Sequence, residues 1–381
     1  MPPMLFEIIR ILAFVFGVYI VTTTMMSAIK TFVVPRSINV WLTRTVFRVS
    51  RTIFDLRLRK AVSYEDRDRI MALFAPVTLL ALPGVWIVLN LIGFMFIDWA
   101  LVPMPLEDLF RLSGSSLLTL GFAMPQSIPQ TISAFAEASI GLVVVALLIS
   151  YLPTMYSAFQ RRELLVSLLE VRADSPPSAL TMITRVYLND ARGLQALQEL
   201  WSEWEVWFAD LAESHTSLGA LVFFRSPKAG MSWITAAGTV LDAAALVEST
   251  IEKPWDVRAR LCIRAGFVTL RHICDFFRIQ YNPDPKPDDP ISVTRAEYDE
   301  VYDALKAAGI PVVADREQGW RDYVGWRVNY DVPLLALAEL TMAPYAQWIS
   351  DRGIPRRRPR MLRFFDASKD VVGYEPASNS R

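Results

Sequence analysis

The most constraining feature of this sequence is a short stretch of small and apolar residues between two apolar runs of membrane length. It covers residues 112–125 and reads Leu-Ser-Gly-Ser-Ser-Leu-Leu-Thr-Leu-Gly-Phe-Ala-Met-Pro. A transmembrane helix needs about 20 apolar residues, so this stretch is too short to cross a bilayer. Non-helical backbone survives at membrane depth only where it is buried in protein or lines a water-filled path. The sequence therefore predicts a re-entrant loop.

Three apolar runs are long enough to span a membrane, and they lie at residues 5–29, 70–101 and 132–158. The first run has no basic residue before Arg10 and is too long for the apolar core of a signal peptide, which predicts a retained helix. From Arg161 onward no window of this length lacks charges, so we expect a soluble part. The chain is 53% hydrophobic and 20% charged, which agrees with a membrane protein carrying a large soluble part.

Basic residues near the ends of the apolar runs predict the orientation of the chain. Residues 30–60 carry eight lysines and arginines, and Arg161 and Arg162 follow the third run. Both segments are therefore expected in the cytoplasm. The N-terminus and the mouth of the loop, with Glu107 and Asp108, then face outward. The result is a multi-pass cell-membrane protein with a cytoplasmic C-terminal part.

The basic segment at residues 35–69 has helical periodicity. Its apolar positions are Trp41 or Leu42, Val46, Val49, Ile53 and Leu56. The arginines Arg44, Arg48 and Arg51 fall on another face. This pattern is typical of an interfacial helix on the cytoplasmic leaflet, where basic side chains meet anionic lipids. A voltage sensor would need arginines inside a spanning helix, and this segment is too densely charged to span.

Residues 119–123 resemble the selectivity filter of the potassium-channel pore superfamily, in which four Thr-Val-Gly-Tyr-Gly loops form a ring of backbone carbonyls. The resemblance covers residues 70–162, in the order of outer helix, pore loop (residues 105–126) and inner helix that channels of bacterial inner membranes have. The implied filter consists of Thr119, Leu120, Gly121, Phe122 and Ala123. Ser115 and Ser116 lie on the implied pore helix.

The resemblance also implies how such a protein would work. One chain supplies a quarter of a carbonyl ring, so a homotetramer is expected. Conduction would be passive, with a monovalent cation, K⁺, as the permeating ion and no cofactor. Glu107 and Asp108 would focus cations at the outer mouth. Motion of the third span, coupled to the cytosolic part, would open and close the pore.

Two residues depart from the pattern of the family. The family's last filter glycine takes a positive φ cheaply, whereas Ala123 would do so at a cost of about 1–2 kcal/mol, so we expect the outer end to be built differently. The Asp that follows in the family is Met124 here. Without that acid, the sequence predicts only a weak or moderate preference for K⁺ over Na⁺.

Three residues stand out in the third span. Gly141 lies near the position of a hinge glycine in relatives, and Pro153 lies near the bend at the cytoplasmic gate. Alternatively, Gly141 allows close packing and Pro153 marks the end of the helix. Glu137 is an ionisable residue within a span, which makes it a functional candidate by default. It lies either just behind the filter or shallow enough to reach the outer water.

The chain is divided by prediction into an N-terminal span (1–34), the basic linker (35–69), the pore domain (70–162) and a helical cytosolic domain (163–381). A proline-rich break lies at residues 282–290. After it, Thr294-x-x-Glu297 has the form of a capping box for a helix that ends at Gly309. Another helix is expected at residues 333–349, with Pro344 kinking or ending it.

Patterns of enzymes and nucleotide sensors are missing from the sequence. No G-x-G-x-x-G follows a strand, and Walker, zinc and nucleophile-elbow patterns are absent as well. Cys262 and Cys274, with His272 nearby, do not have the spacing of a metal site. A net charge of zero gives no global support for nucleic-acid binding. We therefore expect a protein that is not an enzyme and binds no nucleic acid.

The sequence analysis thus predicts an all-α membrane protein with three transmembrane helices, a re-entrant pore loop and a helical cytosolic domain. Its first functional hypothesis is a tetrameric, potassium-channel-like cation channel. The departures at Ala123 and Met124 leave a second hypothesis open, a non-conducting signalling or scaffold protein with a channel-derived loop. Glu137 leaves a third, a cation-coupled or proton-coupled transporter.

Overall fold

The structure is a computed structural model that describes residues 3–32, 41–59, 63–189, 193–253 and 256–352. The regular elements of the described residues are all helices, with no strands among them. Ile251 and Val312 form an isolated antiparallel bridge. The helices are α1 (Pro3–Phe32), α2 (Trp41–Leu58), α3 (Tyr64–Ala72), α4 (Phe74–Leu101), α5 (Leu106–Leu117), α6 (Ile128–Ala173), α7 (Ala179–Asn189), α8 (Ala196–Ser217), α9 (Trp233–Thr250), α10 (Val257–Phe277), α11 (Arg295–Ala307), α12 (Arg316–Arg327) and α13 (Asp331–Thr341). Short 3-10 turns occupy Gly193–Gln195 and Gly219–Phe223.

Three helical segments of the described chain are long and apolar enough to cross a membrane. They are Pro3–Phe32, Tyr64–Leu101 and Ile128–Ala173. The three apolar runs predicted from the sequence fall within these segments. The all-helical class and the three candidate membrane spans are therefore confirmed.

The described residues divide into two compact units. The first unit draws on residues 1–60 and 72–157, and the second on residues 61–71 and 158–381. Helix α6 is continuous from Ile128 to Ala173, so its residues before 158 belong to the first unit and the others to the second. Pro153 lies inside this helix. The alternative that Pro153 marks the helix end is therefore wrong.

In the first unit, α1 and α4 run antiparallel in close contact. A Cβ on Gly17 would lie 2.5 Å from the carbonyl oxygen of Gly93, so a side chain there would push the helices apart. Arg10 donates hydrogen bonds to the carbonyl oxygens of Ala100 (2.9 Å) and Leu101 (3.2 Å). These are among the last carbonyls of α4, which have no partner within their own helix. Arg10 therefore caps the C-terminal end of α4.

Helix α2 packs against the protein mainly with a side other than the apolar one that the sequence assigns to the cytoplasmic leaflet. Phe47, Arg51 and Phe54 are buried, and the Phe54 ring lies 5.6 Å from the Phe74 ring at the start of α4. Most of the predicted apolar positions remain exposed, namely Trp41, Val49, Ile53 and Leu56. Arg51 forms a 2.9 Å ion pair with Asp55. Arg51 is therefore part of the protein core, whereas the exposed apolar side is free to meet a lipid surface.

In the second unit, α9 is the central helix and is buried along almost its whole length. Helix α8 presents Trp201, Trp204 and Trp207 to the interior of this unit. Because these three rings are large, they bury much apolar surface for a single helix.

A buried network of charged side chains joins α9 to α12, α13 and the residues that follow α13. Arg327 is fully buried, forms an ion pair with Asp242 of α9 and donates to Asp331 at 2.7 Å. It also donates to the carbonyl oxygen of Trp348 at 2.6 Å, and Tyr330 donates to Asp242 at 2.8 Å. A buried charge costs little only when it is paired and hydrogen-bonded in this way.

Local signals place two further helices of this unit. Thr294 and Glu297 form both hydrogen bonds of a capping box at the start of α11, and Gly309 follows its end with φ +78°. Helix α13 ends earlier than predicted, at Thr341, because Met342 takes a left-handed conformation with φ 52°. Pro344 lies after that end. The Arg-rich tail beyond residue 352 lies outside the described residues.

Candidate functional site

The candidate site is the segment between α4 and α6, built from the short helix α5 and the loop that follows it. Helix α5 has 12 residues and spans about 18 Å at 1.5 Å per residue, too little to cross a bilayer. Its first turn carries Glu107 and Asp108, whose charges favour a helix N-terminus. Its buried side includes Leu109, Leu112 and Leu117. Helix α5 is therefore amphipathic, with one side in the protein interior.

The loop begins with a Schellman-type cap on α5. The amide of Thr119 donates to the Ser116 carbonyl at 3.0 Å, and the amide of Leu120 donates to the Ser115 carbonyl at 2.7 Å. Thr119 has a φ of 55°, a left-handed conformation that a β-branched residue rarely adopts. Such strain persists only where the surrounding structure requires it, and it is common at functional sites.

Ser115 holds the loop against the end of α5. It is 1% exposed, and its hydroxyl oxygen accepts a hydrogen bond from the amide of Ala123 at 3.1 Å. The predicted filter segment is therefore tied back to the helix at both of its ends. Gly121 has a φ of +73°, whereas Ala123 does not take a positive φ. The left-handed positions of this loop are thus Thr119 and Gly121.

The loop is uncovered in the single chain. Leu120, Phe122 and Met124 are 60%, 65% and 86% exposed. Large apolar side chains at such exposure indicate a surface that meets lipid or another protein chain. The described residues of one chain therefore do not enclose this segment.

The predicted outer-mouth acids lie at the exposed start of α5. Glu107 forms a 2.6 Å ion pair with Arg111, one helical turn away. Both partners are largely exposed, so the pair contributes little to stability. Asp108 is exposed as well. The nearby Arg111, which the sequence reasoning left out, offsets part of the negative charge at this position.

Glu137 is fully buried and lies between three helices. The hydroxyl of Ser113 in α5 is hydrogen-bonded to the Glu137 carboxyl and lies 3.1 Å from the carbonyl oxygen of Leu91 in α4. Asp98 of α4 is a second buried acid of this unit, at 1% exposure. Of the two predicted positions for Glu137, the structure favours the one behind the loop, because a carboxyl with no exposed surface does not reach water within the single chain.

Gly141 lies one turn further along α6, at its contact with the last turn of α5. A Cβ at this position would lie 1.9 Å from the carbonyl oxygen of Leu117. No side chain fits there without moving one of the two helices. Of the two interpretations of Gly141, close packing is thus the one that accounts for its environment.

Sequence reasoning missed Ser113 and Asp98. Asp98 carries the same signal that identified Glu137, an ionisable residue inside an apolar run. Its position in the last turn of α4 hid its burial, since residues there often reach the membrane surface. Ser113 gave no signal of its own, because serine is common wherever membrane helices touch.

In the part of the chain that the structure describes, no group of three or more His, Cys, Asp or Glu side chains could hold a metal ion. Cys262 and Cys274 are free, and burial raises the pKa of both thiols. No family model matches this chain, and neither a curated protein nor a solved structure matches it. The function is therefore argued from the chain alone.

Proposed function

We propose that this protein is a tetrameric, potassium-channel-like cation channel with a helical cytosolic domain. Residues 119–123 of four chains would surround one axis, with their carbonyl oxygens replacing the hydration shell of the ion. Helix α5 would be the pore helix of a re-entrant loop, and α6 would be the inner helix. Conduction would be passive and would need no cofactor.

One observation carries this proposal, the order of a membrane-length helix, a 12-residue amphipathic helix, an irregular loop and a second membrane-length helix. Irregular backbone at membrane depth requires cover by protein or a water-filled path. The exposed Leu120 and Phe122 have no such cover in one chain. Assembly of several chains around the loop would supply it.

The conformation of the loop bears on selectivity. Left-handed residues turn carbonyl groups in directions that an extended strand does not reach, and here they are Thr119 and Gly121. The family's filter is expected to use a glycine at the position of Ala123. A filter that differs at this end would coordinate ions with fewer fixed carbonyls, which favours a weaker K⁺ preference.

The buried Glu137 favours proton-coupled or cation-coupled transport as a second candidate function. Buried acids in membrane proteins mark proton relays and ion pathways. A transporter would cycle between states and would move ions slowly, whereas a channel moves them down their gradient without a cycle. The remaining hypothesis, a non-conducting scaffold, would move none.

Ion flux into liposomes that hold the purified full-length protein separates these functions. We expect a large cation flux that is driven by voltage and continues without a coupled solute. A slow flux that depends on a proton gradient would contradict the channel and favour the transporter. Vesicles that are as impermeable as protein-free vesicles would favour the scaffold. Flux that follows an anion would contradict the proposed filter.

A further inference from the structure

The hydrogen bonds of Ser113 place a limit on the protonation state of Glu137. A serine hydroxyl carries one proton and can donate one hydrogen bond at a time. Two oxygen atoms lie within hydrogen-bond distance of Ser113 Oγ, the Leu91 carbonyl oxygen at 3.1 Å and Oε1 of Glu137. A carbonyl oxygen only accepts. If Ser113 donates to Leu91, the contact with Glu137 needs a proton on the carboxyl.

The surroundings of Glu137 also favour the neutral acid. Its carboxyl is fully buried, and its second oxygen, Oε2, has no hydrogen-bond partner. A buried carboxylate without a cationic partner is strongly disfavoured. Asp98 of α4 is likewise acidic and buried, so it supplies no positive charge to Glu137.

Charged groups on the other helices do not compensate Glu137. In α5, Glu107 and Arg111 pair with each other on the exposed side, and Asp108 is exposed. In α1, Arg10 is held by the end of α4 and by Glu7. Between residues 128 and 157, α6 carries no other charged side chain.

We propose that Glu137 is a proton-binding site, in which the acid donates from Oε1 to Ser113 and thereby ties α6 to α5 and, through Ser113, to Leu91 of α4. The ligand is a single proton. Loss of this proton would leave two acceptors facing the one Ser113 proton and a buried carboxylate without a cationic partner. The junction of the three helices would loosen as a result.

This junction supports the loop directly. Gly141, one turn from Glu137, contacts Leu117 in the last turn of α5, and the capped loop starts at that turn. The proton at Glu137 would therefore set the position of α5 and of the filter segment. Only this consequence for conduction rests on the proposed channel function, whereas the proton site itself does not.

Infrared spectroscopy of the purified full-length protein tests the proton site without any flux measurement. A protonated carboxylic acid has a C=O stretch that a carboxylate lacks. At neutral pH we expect this band in the parent, with a component that is lost in Glu137→Gln and retained in Glu107→Gln, the control on the exposed side of α5. A band that disappears in Asp98→Asn and persists in Glu137→Gln would place the proton on Asp98 and overturn the proposal. A parent without the band would overturn it as well.

Thermal melting tests the tie between the helices. The amide of Glu137→Gln can donate to Ser113 as the acid does, so we expect it to melt near the parent temperature. Glu137→Ala loses the bond and should melt lower. Alkaline pH should lower the melting temperature of the parent more than that of Glu137→Gln. If the melting temperatures of the parent and of Glu137→Gln depended equally on pH, the proposed proton-mediated bond between α6 and α5 would be contradicted. If the protein showed the band but conducted no ions, the proposal of a proton site would stand and the proposal of a channel would be contradicted.

Discussion

At the scale of single residues, Gly141 fixes how closely α6 approaches α5. We expect Gly141→Ala to destabilise the protein, because its Cβ would lie 1.9 Å from the Leu117 carbonyl oxygen. Overpacking of this kind costs about 1–3 kcal/mol. Thermal melting of the purified protein measures the effect.

Gly84 provides the matched control, since it lies in α4 of the same unit and a Cβ there would meet nothing within 4 Å. Alanine favours helix over glycine by about 1 kcal/mol, so Gly84→Ala should melt at or above the parent temperature. If Gly141→Ala melted like Gly84→Ala, the close contact between α6 and α5 would be wrong.

Gly121 is the residue whose backbone shapes the loop most directly. Its φ of +73° costs an L-amino acid about 1–2 kcal/mol, and a β-branched side chain more. In one chain a Cβ there would meet no atom within 4 Å, so the strain of Gly121→Val falls on the loop backbone alone. We expect the helices, and the assembly that they support, to be retained. In a carbonyl-lined pore the same side chain would crowd the path. We expect loss of conduction, measured by liposome flux, at an unchanged gel-filtration volume.

If Gly121→Val conducted ions at the parent rate, residues 119–123 would not form the selectivity filter. The transporter or the scaffold would then account better for the buried acids.

At the scale of helices, the capping box of α11 is a local device whose contribution can be measured. Thr294→Ala removes the side-chain acceptor for the Glu297 amide, a hydrogen bond of 3.3 Å. Loss of an N-cap costs about 1 kcal/mol. Chemical denaturation of the second unit's helices, followed by circular dichroism, should shift to lower denaturant concentration.

Thr216→Ala is the control, because the Thr216 hydroxyl bonds only to carbonyls within its own helix. An equal shift in both variants would show that the box adds nothing specific to α11.

Sequence reasoning was most successful where the signal is local. The capping box needs two residues three positions apart, and the apolar runs need only composition, so both were predicted with nearly correct bounds. The side of α2 that meets the protein was not predicted, since apolar periodicity does not say which residues pack against other helices. Arg51 is buried in that contact, a placement that the sequence pattern does not indicate.

Contacts between distant parts of the chain could not be predicted. The bond between Ser113 and Glu137 joins residues 24 positions apart, and the approach of Gly141 to Leu117 depends on how two helices cross. Such contacts follow from three-dimensional packing, and a single sequence contains no pattern for them. The sequence of the loop therefore indicated where the candidate site lies, whereas the partners of Glu137 are seen only in the structure.

At the scale of the whole molecule, the proposed function requires several copies of this chain. We expect the purified protein to be a homotetramer of the 43.1 kDa chain, because a ring of filter carbonyls needs four loops. Light scattering that corrects for bound detergent measures the protein mass. A monomer would contradict the channel, since one chain leaves Leu120 and Phe122 uncovered.

The most direct test of cation conduction is the reversal potential of currents through a planar bilayer that contains the protein. With unequal KCl on the two sides, we expect a reversal potential near the equilibrium potential of K⁺. With K⁺ opposed to Na⁺, we expect a modest shift toward the equilibrium potential of K⁺, because Ala123 and Met124 replace the family's glycine and acid. A reversal potential that follows chloride, or a bilayer without currents, would show that the protein is not a cation channel. A reversal potential set by K⁺ alone would contradict the predicted weak selectivity but would agree with a channel.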